Sequence, residues 1–229
     1  MPFFVIANLM NPDIHLLQEG ANLLGLRFEE KQLAQFELYQ NELIRWNAKT
    51  NLISGKTVGD ITARHFLDSL TAAPYIANQN SRLVDIGCGA GFPGIPLKIA
   101  LPSLKLYLLE TNRKKISFLK HILRLLNLED AFTLHDRTEN LIRTDTWREK
   151  FDIAISRASL KLPDLLPLGN YFLVPGGLLI TLKSQDIDQE LSASLAIKNE
   201  SKIIKIIQHD INIPLLGPPR KIIIAQKAK

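Results

Sequence analysis

The feature that most constrains the fold of this chain is the glycine-rich segment 83–97, LVDIGCGAGFPGIPL. Its apolar start leads to the carboxylate of Asp85. Three glycines then alternate with other residues, namely Gly87, Gly89 and Gly91. Alternating glycines leave the backbone open to a ligand, and a following helix start offers unpaired N–H groups. The segment therefore predicts a buried strand, a ligand-binding loop and the first turn of a helix.

A carboxylate nineteen residues beyond Gly91 points to a ligand that contains adenosine. A second apolar run, 104–109, ends in Glu110, where the ribose hydroxyls of such a cofactor would find an acceptor. The spacing Gly89-x-Gly91-x-x-Gly94 also fits the dinucleotide fingerprint. The glycines alone are therefore compatible with three interpretations: a nicotinamide cofactor, S-adenosylmethionine, or a tight turn without a ligand.

Asp85 favours one of these cofactors over the other. A carboxylate at the end of the first strand would face the anionic pyrophosphate of a dinucleotide, and two like charges repel. The sulfonium and the α-ammonium of S-adenosylmethionine are cations that favour a nearby acid. Together, Asp85 and Glu110 predict an S-adenosylmethionine site.

Composition limits the class of protein. A chain of 229 residues with 46% apolar residues can bury a full core and suits one α/β domain with an appendage. No apolar stretch is long enough to span a bilayer, and residues 1–10 lack the basic leader and cleavage site of a secretory signal. The single cysteine, Cys88, excludes an internal disulfide and a cysteine-based zinc cluster. We expect a cytoplasmic, metal-free monomer that has no membrane partner.

The net charge of +5 is unevenly distributed along the chain. Residues 1–80 carry a net charge of −2, residues 81–150 carry +4, and residues 151–229 carry +3. The positive excess therefore lies in the part that contains the glycine loop. This distribution fits a nucleic-acid partner, and a mildly basic soluble surface is the alternative.

Apolar patterns alternate between strand and helix from residue 82 onward, as in a parallel sheet covered on both faces. The predicted strands are 82–87, 104–110, 132–135, 151–156, 177–183, 202–208 and 221–226. The predicted helices are 13–50, a helix through 63–70 that follows a capping box at Thr57-x-x-Asp60, 94–101, 113–126, 164–174 and 186–197. No helix separates the last two strands, so they should pair as an antiparallel hairpin.

The strand count favours a methyltransferase. A nicotinamide-binding Rossmann domain has six parallel strands and usually a separate substrate domain, for which this chain has no residues left. We predict an N-terminal helical segment, 1–60, and a methyltransferase domain, 61–229. The fold class is α/β, with a Rossmann-like seven-stranded sheet that ends in an antiparallel hairpin.

The loop DIGxGxGFPGIPL over 85–97 closely resembles that of the RsmG family, also called GidB. Further matches follow in the same order: Trp46-Asn47 with Asn51-Leu52, the segment RHFLDS at 64–69, ISRA at 155–158, and Arg220 before the last strand. The resemblance covers about residues 30–229. It implies a class I methyltransferase that uses S-adenosylmethionine to modify a guanine N7 of bacterial 16S rRNA, in the 530 loop, with the rRNA or the small ribosomal subunit as its partner.

The resemblance also implies roles for individual residues. Gly87 and Phe92 would line the cofactor pocket, and Glu110 would take the ribose. Thr138 and Glu139 would flank the adenine, and Arg157 would lie close to the cofactor and the substrate entrance. Two features depart from the family pattern: Lys183 is followed by Ser184 where a glycine is usual, and residues 1–25 have no clear counterpart.

The chemistry of methyl transfer narrows the nucleophile. Exocyclic amine methylation commonly uses an Asn/Asp-Pro-Pro-Tyr/Phe turn after the fourth strand, where this chain has SRAS at 156–159. Cytosine C5 methylation needs an attacking thiolate, and Cys88 lies in the cofactor loop. Guanine N7 already carries an in-plane lone pair and needs only orientation and electrostatic support. Small-molecule nucleophiles without a base requirement stay open as well.

Cationic residues at the predicted sheet edge are the candidates for these tasks. Arg157 and Lys183 should sit at the carboxyl ends of strands four and five, where open α/β sheets bind ligands. They are the predicted catalytic residues, through contact with guanine O6 or a phosphate, and a structural ion pair or a solvated lysine is the alternative for each. The predicted phosphate contacts are Arg113, Lys114, Lys115, Arg220 and Lys221, although the first three also fit an ordinary solvated helix face.

The sequence is compatible with three functions. An rRNA guanine-N7 methyltransferase leads, a nicotinamide oxidoreductase is the rival enzyme, and a non-catalytic RNA-binding protein on a methyltransferase scaffold is the third. The target should lie in an RNA loop or be splayed from its stack, because N7 faces the deep major groove of A-form RNA. For His65 and Trp46 we predict core or interdomain packing rather than catalysis.

Overall fold

The computed structural model describes residues 12–157, 160–183, 187–197, 202–217 and 219–229. Outside the described residues lie the apolar segment 1–10, the last residues of ISRA (158) and SRAS (159), and Ser184. Within the described part, no helix is both long and apolar enough to cross a membrane.

Seven strands form a single sheet, as the sequence predicts. The strands are β1 (Arg82–Ile86), β2 (Lys105–Glu110), β3 (Ala131–His135), β4 (Phe151–Arg157), β5 (Leu173–Lys183), β6 (Ile203–Ile211) and β7 (Arg220–Lys227). Their order is β3-β2-β1-β4-β5-β7-β6. The first five run parallel, whereas β7 is antiparallel to both β5 and β6. The predicted terminal hairpin is thus present, and β7 inserts between β5 and β6.

Helices cover both faces of the sheet. They are α1 (Pro12–Leu23), α2 (Glu30–Thr50), α3 (Asp68–Leu70), α4 (Gly94–Ala100), α5 (Arg113–Leu125), α6 (Thr138–Leu141), α7 (Leu162–Phe172) and α8 (Asp188–Ile197). A 3₁₀ helix over Gly55–Asp60 and a π-helix over Thr62–Leu67 precede α3. A continuous helix over 13–50 is wrong, because the chain turns between α1 and α2 at Gly25, whose φ is +75°.

The segment before α3 differs from the prediction in its local geometry. The capping box at Thr57-x-x-Asp60 is wrong, since the 3₁₀ helix there is capped by Ser54, whose hydroxyl accepts from the Lys56 N–H. The Thr57 hydroxyl instead donates to the Ser54 carbonyl. The π-helix that follows carries the apolar side chains Phe66 and Leu67 into the core.

Two apolar clusters pack against the two faces of the sheet. One contains residues of α1, α2, α4 and α5, among them the fully buried Phe36, Tyr39 and Phe118. The other contains residues of α7, such as Leu165 and Phe172. Because the N-terminal helices share the first cluster with the sheet, they are placed to support the loops at the carboxyl ends of β1 and β2. The division into 1–60 and 61–229 stays a prediction.

Candidate functional site

The glycine loop connects β1 to α4, and its glycines serve two different purposes. Gly87 and Gly89 have φ values of +70° and +61°, which favour glycine over residues with a side chain. A Cβ on Gly91 would collide with Ile95, and one on Gly94 would lie 2.8 Å from Asp85 Oδ2. Gly94 is therefore required by packing, Gly91 by both packing and its φ of +104°, and Gly87 and Gly89 by the backbone conformation of the loop.

Helix α2 contacts the glycine loop through Tyr39. Tyr39 is fully buried, and its hydroxyl donates to the Ala90 carbonyl at 2.6 Å. Its ring stacks on Phe92 with centroids 5.5 Å apart. Burial raises the pKa of Tyr39 well above its ordinary value, so the hydroxyl stays a donor. The N-terminal helices thus contribute to the shape of the loop.

Asp85 lies beneath the loop rather than at its mouth. The side chain is fully buried, and Oδ2 accepts from the Gly94 N–H at 2.7 Å, while Oδ1 has no hydrogen-bond partner. Burial raises the pKa of Asp85 to about 7, although the Gly94 N–H and Arg157 act in the other direction. A buried carboxylate oxygen without a partner has a strong need for a donor or a cation.

Glu110 ties the end of β2 to the glycine loop. Oε2 accepts from the Gly89 N–H at 3.0 Å, and Oε1 accepts from the N–H groups of Thr111 and Asn112 at 2.8 and 2.7 Å. An ionised carboxylate has about four acceptor positions. Oε1 also accepts from the Thr111 hydroxyl at 3.4 Å. Among the described residues Oε2 accepts only from the Gly89 N–H, so the position left for a ligand is on Oε2.

A cavity of about 330 Å³ opens beside Glu110. It is lined by Gly87, Glu110, Thr138 and Glu139, four of the residues predicted from the sequence to hold the cofactor, and by Asp136 among others. Below, this space is called the carboxylate cavity. It combines acceptors for hydroxyl groups with the apolar side chains of Ile86 and Leu109.

Phe92 does not line the carboxylate cavity. Its side chain is buried and stacks on His65 with centroids 4.8 Å apart. The Arg157 guanidinium lies 5.0 Å from the centre of the Phe92 ring. Phe92 therefore connects the glycine loop to the residues of a second, neighbouring cavity.

The second cavity has a volume of about 560 Å³ and lies beyond the carboxyl ends of β4 and β5. We call it the cationic cavity. Five basic residues line it: Arg64, Arg157, Lys161, Lys183 and Arg220. Its acidic lining residues are Asp68 and Glu190, and Leu160 lines this cavity as well as the carboxylate cavity.

Arg157 is held by partners on the π-helix and α3. Its Nη1 donates to Asp68 Oδ2 at 3.0 Å and to the Arg64 carbonyl at 2.9 Å, and its Nη2 lies 2.9 Å from His65 Nδ1. Because an arginine can only donate, Nδ1 is the acceptor, so the proton of the neutral ring is on Nε2, which faces the Thr57 hydroxyl at 2.9 Å. Burial, with help from Arg157 and Arg64, lowers the pKa of His65 to about 3.

Lys183 is engaged by the protein. Its Nζ lies 2.8 Å from Glu190 Oε2 and donates to the Leu160 carbonyl at 2.7 Å. This ion pair on one side of the cationic cavity corresponds to the structural alternative that the sequence left open. Lys183 thereby joins the segment after β4 to α8.

The predicted phosphate-binding residues fall in different places. Arg220 lines the cationic cavity, and Lys221 lies 3.6 Å from Asp210 on the neighbouring strand. Arg113 and Lys114 are exposed at the start of α5 and line neither cavity. Lys115 is half-buried, with its Nζ near Gly89.

Sequence reasoning missed two residues of the cationic cavity. His65 was expected to pack in the core or between domains, and it is buried and stacked on Phe92, but its contact with Arg157 was not predicted. Asp68 had no predicted role beyond the motif RHFLDS. The structure places both against Arg157. The signal that could have found them is the presence of a histidine and a carboxylate three residues apart in a motif that also supplies an arginine.

The chain is similar in sequence to a family of rRNA methyltransferases. The profile of the family described as rRNA small subunit methyltransferase G matches residues 32–214 of the chain. The chain belongs to this family. A ribosomal RNA small subunit methyltransferase G of Syntrophus aciditrophicus is 44% identical over 93% of this chain and 89% of its own. The one of Acetivibrio thermocellus is 35% identical over 93% and 87%.

Solved structures support the fold class. A predicted O-methyltransferase of Agrobacterium tumefaciens superposes with a TM-score of 0.59 at 20% identity, covering 71% of this chain and 81% of its own. M. jannaschii TYW2, solved in complex with AdoMet, gives 0.55 at 17% identity, covering 70% and 74%. These likenesses confirm the predicted class I methyltransferase fold with its helical N-terminus.

Family and fold together decide between the enzyme classes. The chain is a methyltransferase, and S-adenosylmethionine is the cofactor of its class. The sheet order also speaks against the nicotinamide alternative, since a dinucleotide-binding Rossmann sheet has the parallel order 3-2-1-4-5-6. Here the antiparallel β7 lies next to β5 instead.

Proposed function

We propose that this chain transfers the methyl group of S-adenosylmethionine to N7 of a guanine in the small-subunit rRNA, in the 530 loop of 16S rRNA. The observation that carries the proposal is the pair of adjoining cavities that share Leu160. One cavity offers a carboxylate, and the other offers five basic side chains. In the proposal a single chain in the cytoplasm is sufficient for the reaction.

The carboxylate cavity fits the cofactor in three respects. Glu110 Oε2 keeps one acceptor position for a ribose hydroxyl. Thr138 and Glu139 line the same cavity, and we propose that they flank the adenine. Gly87, which lines the cavity, carries no side chain that would fill this space. Asp85 lines neither cavity; its carboxylate lies beneath the glycine loop, where it accepts from the Gly94 N–H and supports the loop. When bound, S-adenosylmethionine supplies the methyl group as a substituent of an electrophilic sulfonium.

The side chains of the cationic cavity suit a nucleophile that needs no base. Of the described residues that line it, the two carboxylates are both paired with basic groups, and His65 is hydrogen-bonded on both nitrogens. None of these groups is placed to remove a proton from a substrate. Guanine N7 requires no such removal, because its lone pair is already available.

Positive charge gives the cationic cavity its proposed role toward RNA. Arg220 and Lys161 can face phosphates, which fix the register of an RNA on a protein. Arg157 and Lys183 form ion pairs with Asp68 and Glu190. This supports a role in shaping the cavity around the guanine more than a direct contact with the guanine atoms. Arg113, Lys114, Lys115 and Lys221 are proposed as peripheral phosphate contacts. These four residues would extend the positive surface beyond the cavity.

A labelling experiment tests the proposed function. Small ribosomal subunits and naked small-subunit rRNA are incubated separately with the wild-type chain and S-adenosylmethionine labelled in the methyl group. Label in one guanine, released by the mild depurination chemistry specific to N7-methylguanine, supports the proposal. No label in either substrate, together with tight cofactor binding, would instead favour the non-catalytic RNA-binding function.

A further inference from the structure

The buried carboxylate of Asp68 joins two arginines from different strands. Its Oδ2 accepts from Nη1 of Arg157, and its Oδ1 accepts from Nε of Arg220, both at 3.0 Å. The Asp68 side chain is only 9% exposed. It begins α3 directly after the π-helix, a rare geometry that is frequent at functional sites. One carboxylate therefore sets the position of both guanidinium groups.

The two arginines differ in what they have left to offer. Arg157 uses both terminal nitrogens within the protein and lies against the face of Phe92. For Arg220, the hydrogen bonds among the described residues involve only Nε. A guanidinium carries five N–H donors in a fixed fork. Binding Asp68 through Nε leaves the terminal Nη1 and Nη2 groups of Arg220 as a pair.

The other basic groups of the cationic cavity also differ in whether they are paired within the protein. Lys183 is paired with Glu190, and Arg64 is paired with Asp60 at 2.8 Å. For Lys161, no hydrogen bond or ion pair of the side chain is found among the described residues. The donors that remain for a ligand are therefore the terminal nitrogens of Arg220, at the start of β7, and Lys161, whose charge acts on Glu190.

We propose that Asp68 is a positioning residue that holds Arg220 by Nε, so that its Nη1 and Nη2 bind one phosphate of the substrate RNA in two parallel hydrogen bonds. Arginine forms such bidentate pairs with phosphate, whereas lysine acts as a point charge. Arg157 is the fixed partner that connects Asp68 to the glycine loop. The identity of the anion as an RNA phosphate rests on the proposed function.

The test measures the affinity of purified small-subunit rRNA for the full chain by filter binding over a series of KCl concentrations. Arg220→Gln is expected to weaken binding and to reduce the slope of log K against log salt by about 0.7 to 1. Arg220→Lys keeps the charge but cannot bridge Asp68 and a phosphate, so it should weaken binding nearly as much. The matched control is Arg148→Gln, which removes the same charge from an exposed arginine just before the start of β4, paired with Asp145 and lining neither cavity, and it should leave affinity within about 2-fold.

A double-mutant cycle then tests the positioning role. Asp68→Asn alone should lose about as much RNA affinity as Arg220→Gln, and the double variant should lose little more, since residues that act as one unit are not additive. Additive losses in the cycle, or wild-type binding by Asp68→Asn, overturn the positioning role. If Asp68→Asn does not fold, Arg220→Lys decides alone, because wild-type affinity in that variant overturns the bidentate contact.

The outcome separates this inference from the proposed function. Wild-type chain that binds rRNA through Arg220 but transfers no methyl group contradicts the proposed function and supports the contact. Methylated rRNA with unchanged binding by Arg220→Gln supports the proposed function and overturns the contact.

Discussion

Replacing Glu110 by glutamine removes the negative charge that we assign to the cofactor ribose in the carboxylate cavity. The carboxylate accepts three backbone N–H groups and keeps one acceptor position for the cofactor ribose. A hydrogen bond to a charged group contributes about 1.5–3 kcal/mol, and a neutral one about 0.5–1.5 kcal/mol. In the variant, the glutamine NH₂ also has to face either backbone donors or the ribose.

The cofactor product S-adenosylhomocysteine is a suitable probe for this change. Loss of one charge-assisted bond to the ribose raises its Kd by about 10-fold to 100-fold, since about 1.4 kcal/mol corresponds to a factor of ten. Isothermal titration calorimetry measures the Kd, and thermal unfolding verifies that the variant is folded. Glu129→Gln is the control, because Glu129 is exposed and lines neither cavity of the site. A folded Glu110→Gln variant that binds as tightly as the wild type would refute the assignment of Glu110 to the cofactor.

Three further predictions concern packing, pH and the ion pair. Gly94→Ala should lower the free energy of unfolding by about 1–3 kcal/mol, measured with urea, because the new Cβ would lie 2.8 Å from Asp85 Oδ2; unchanged stability would contradict the close packing. The pKa of His65 is lowered to about 3 in the folded chain. As the pH drops below about 6.5, the unfolded chain binds a proton at this histidine and the folded chain does not, so the free energy of unfolding decreases. Between about pH 7.5 and pH 5 the wild type should therefore lose up to about 2 kcal/mol relative to His65→Gln, and the raised pKa of Asp85, which acts in the opposite direction, cancels in this comparison; equal pH profiles would contradict a buried neutral histidine. Lys183→Met should lower the melting temperature, because Glu190 loses its ion-pair partner and keeps only the Leu162 N–H as a donor. The same variant should leave the Kd of S-adenosylhomocysteine within about 3-fold, and a large loss of cofactor affinity would instead place Lys183 at the cofactor.

The strands could be predicted because their signal is local. Short apolar runs bounded by turn residues gave the position of all seven, and β1, β2, β3, β4 and β7 lie within one residue of the expected bounds. Two strands are longer than predicted: β6 ends at Ile211 instead of residue 208, and β5 starts at Leu173 instead of residue 177. Gly176 has a φ of +80°, and such a glycine indicates a turn. Pairing of Leu173 with Phe151, across a shift in register, nonetheless keeps the chain in the sheet.

The two cavities differ in how far the sequence could predict them. The four predicted residues that line the carboxylate cavity follow strands, and the ends of parallel strands meet at one edge of a sheet. The cationic cavity depends on Asp68, whose partners Arg157 and Arg220 are 89 and 152 residues away along the chain. No local pattern shows that two such distant arginines converge on one carboxylate. The placement of Phe92 likewise depends on the distant His65 and Tyr39.

The central claim is that the adjoining cavities support methyl transfer to a guanine N7 of small-subunit rRNA. The most direct measurement is the position of methyl label in rRNA after incubation of small subunits or naked rRNA with the wild-type chain and labelled S-adenosylmethionine. The account predicts label on N7 of a single guanine, in an unpaired or splayed position. Label on an exocyclic amine or on a pyrimidine carbon, or no label in either substrate, would contradict it.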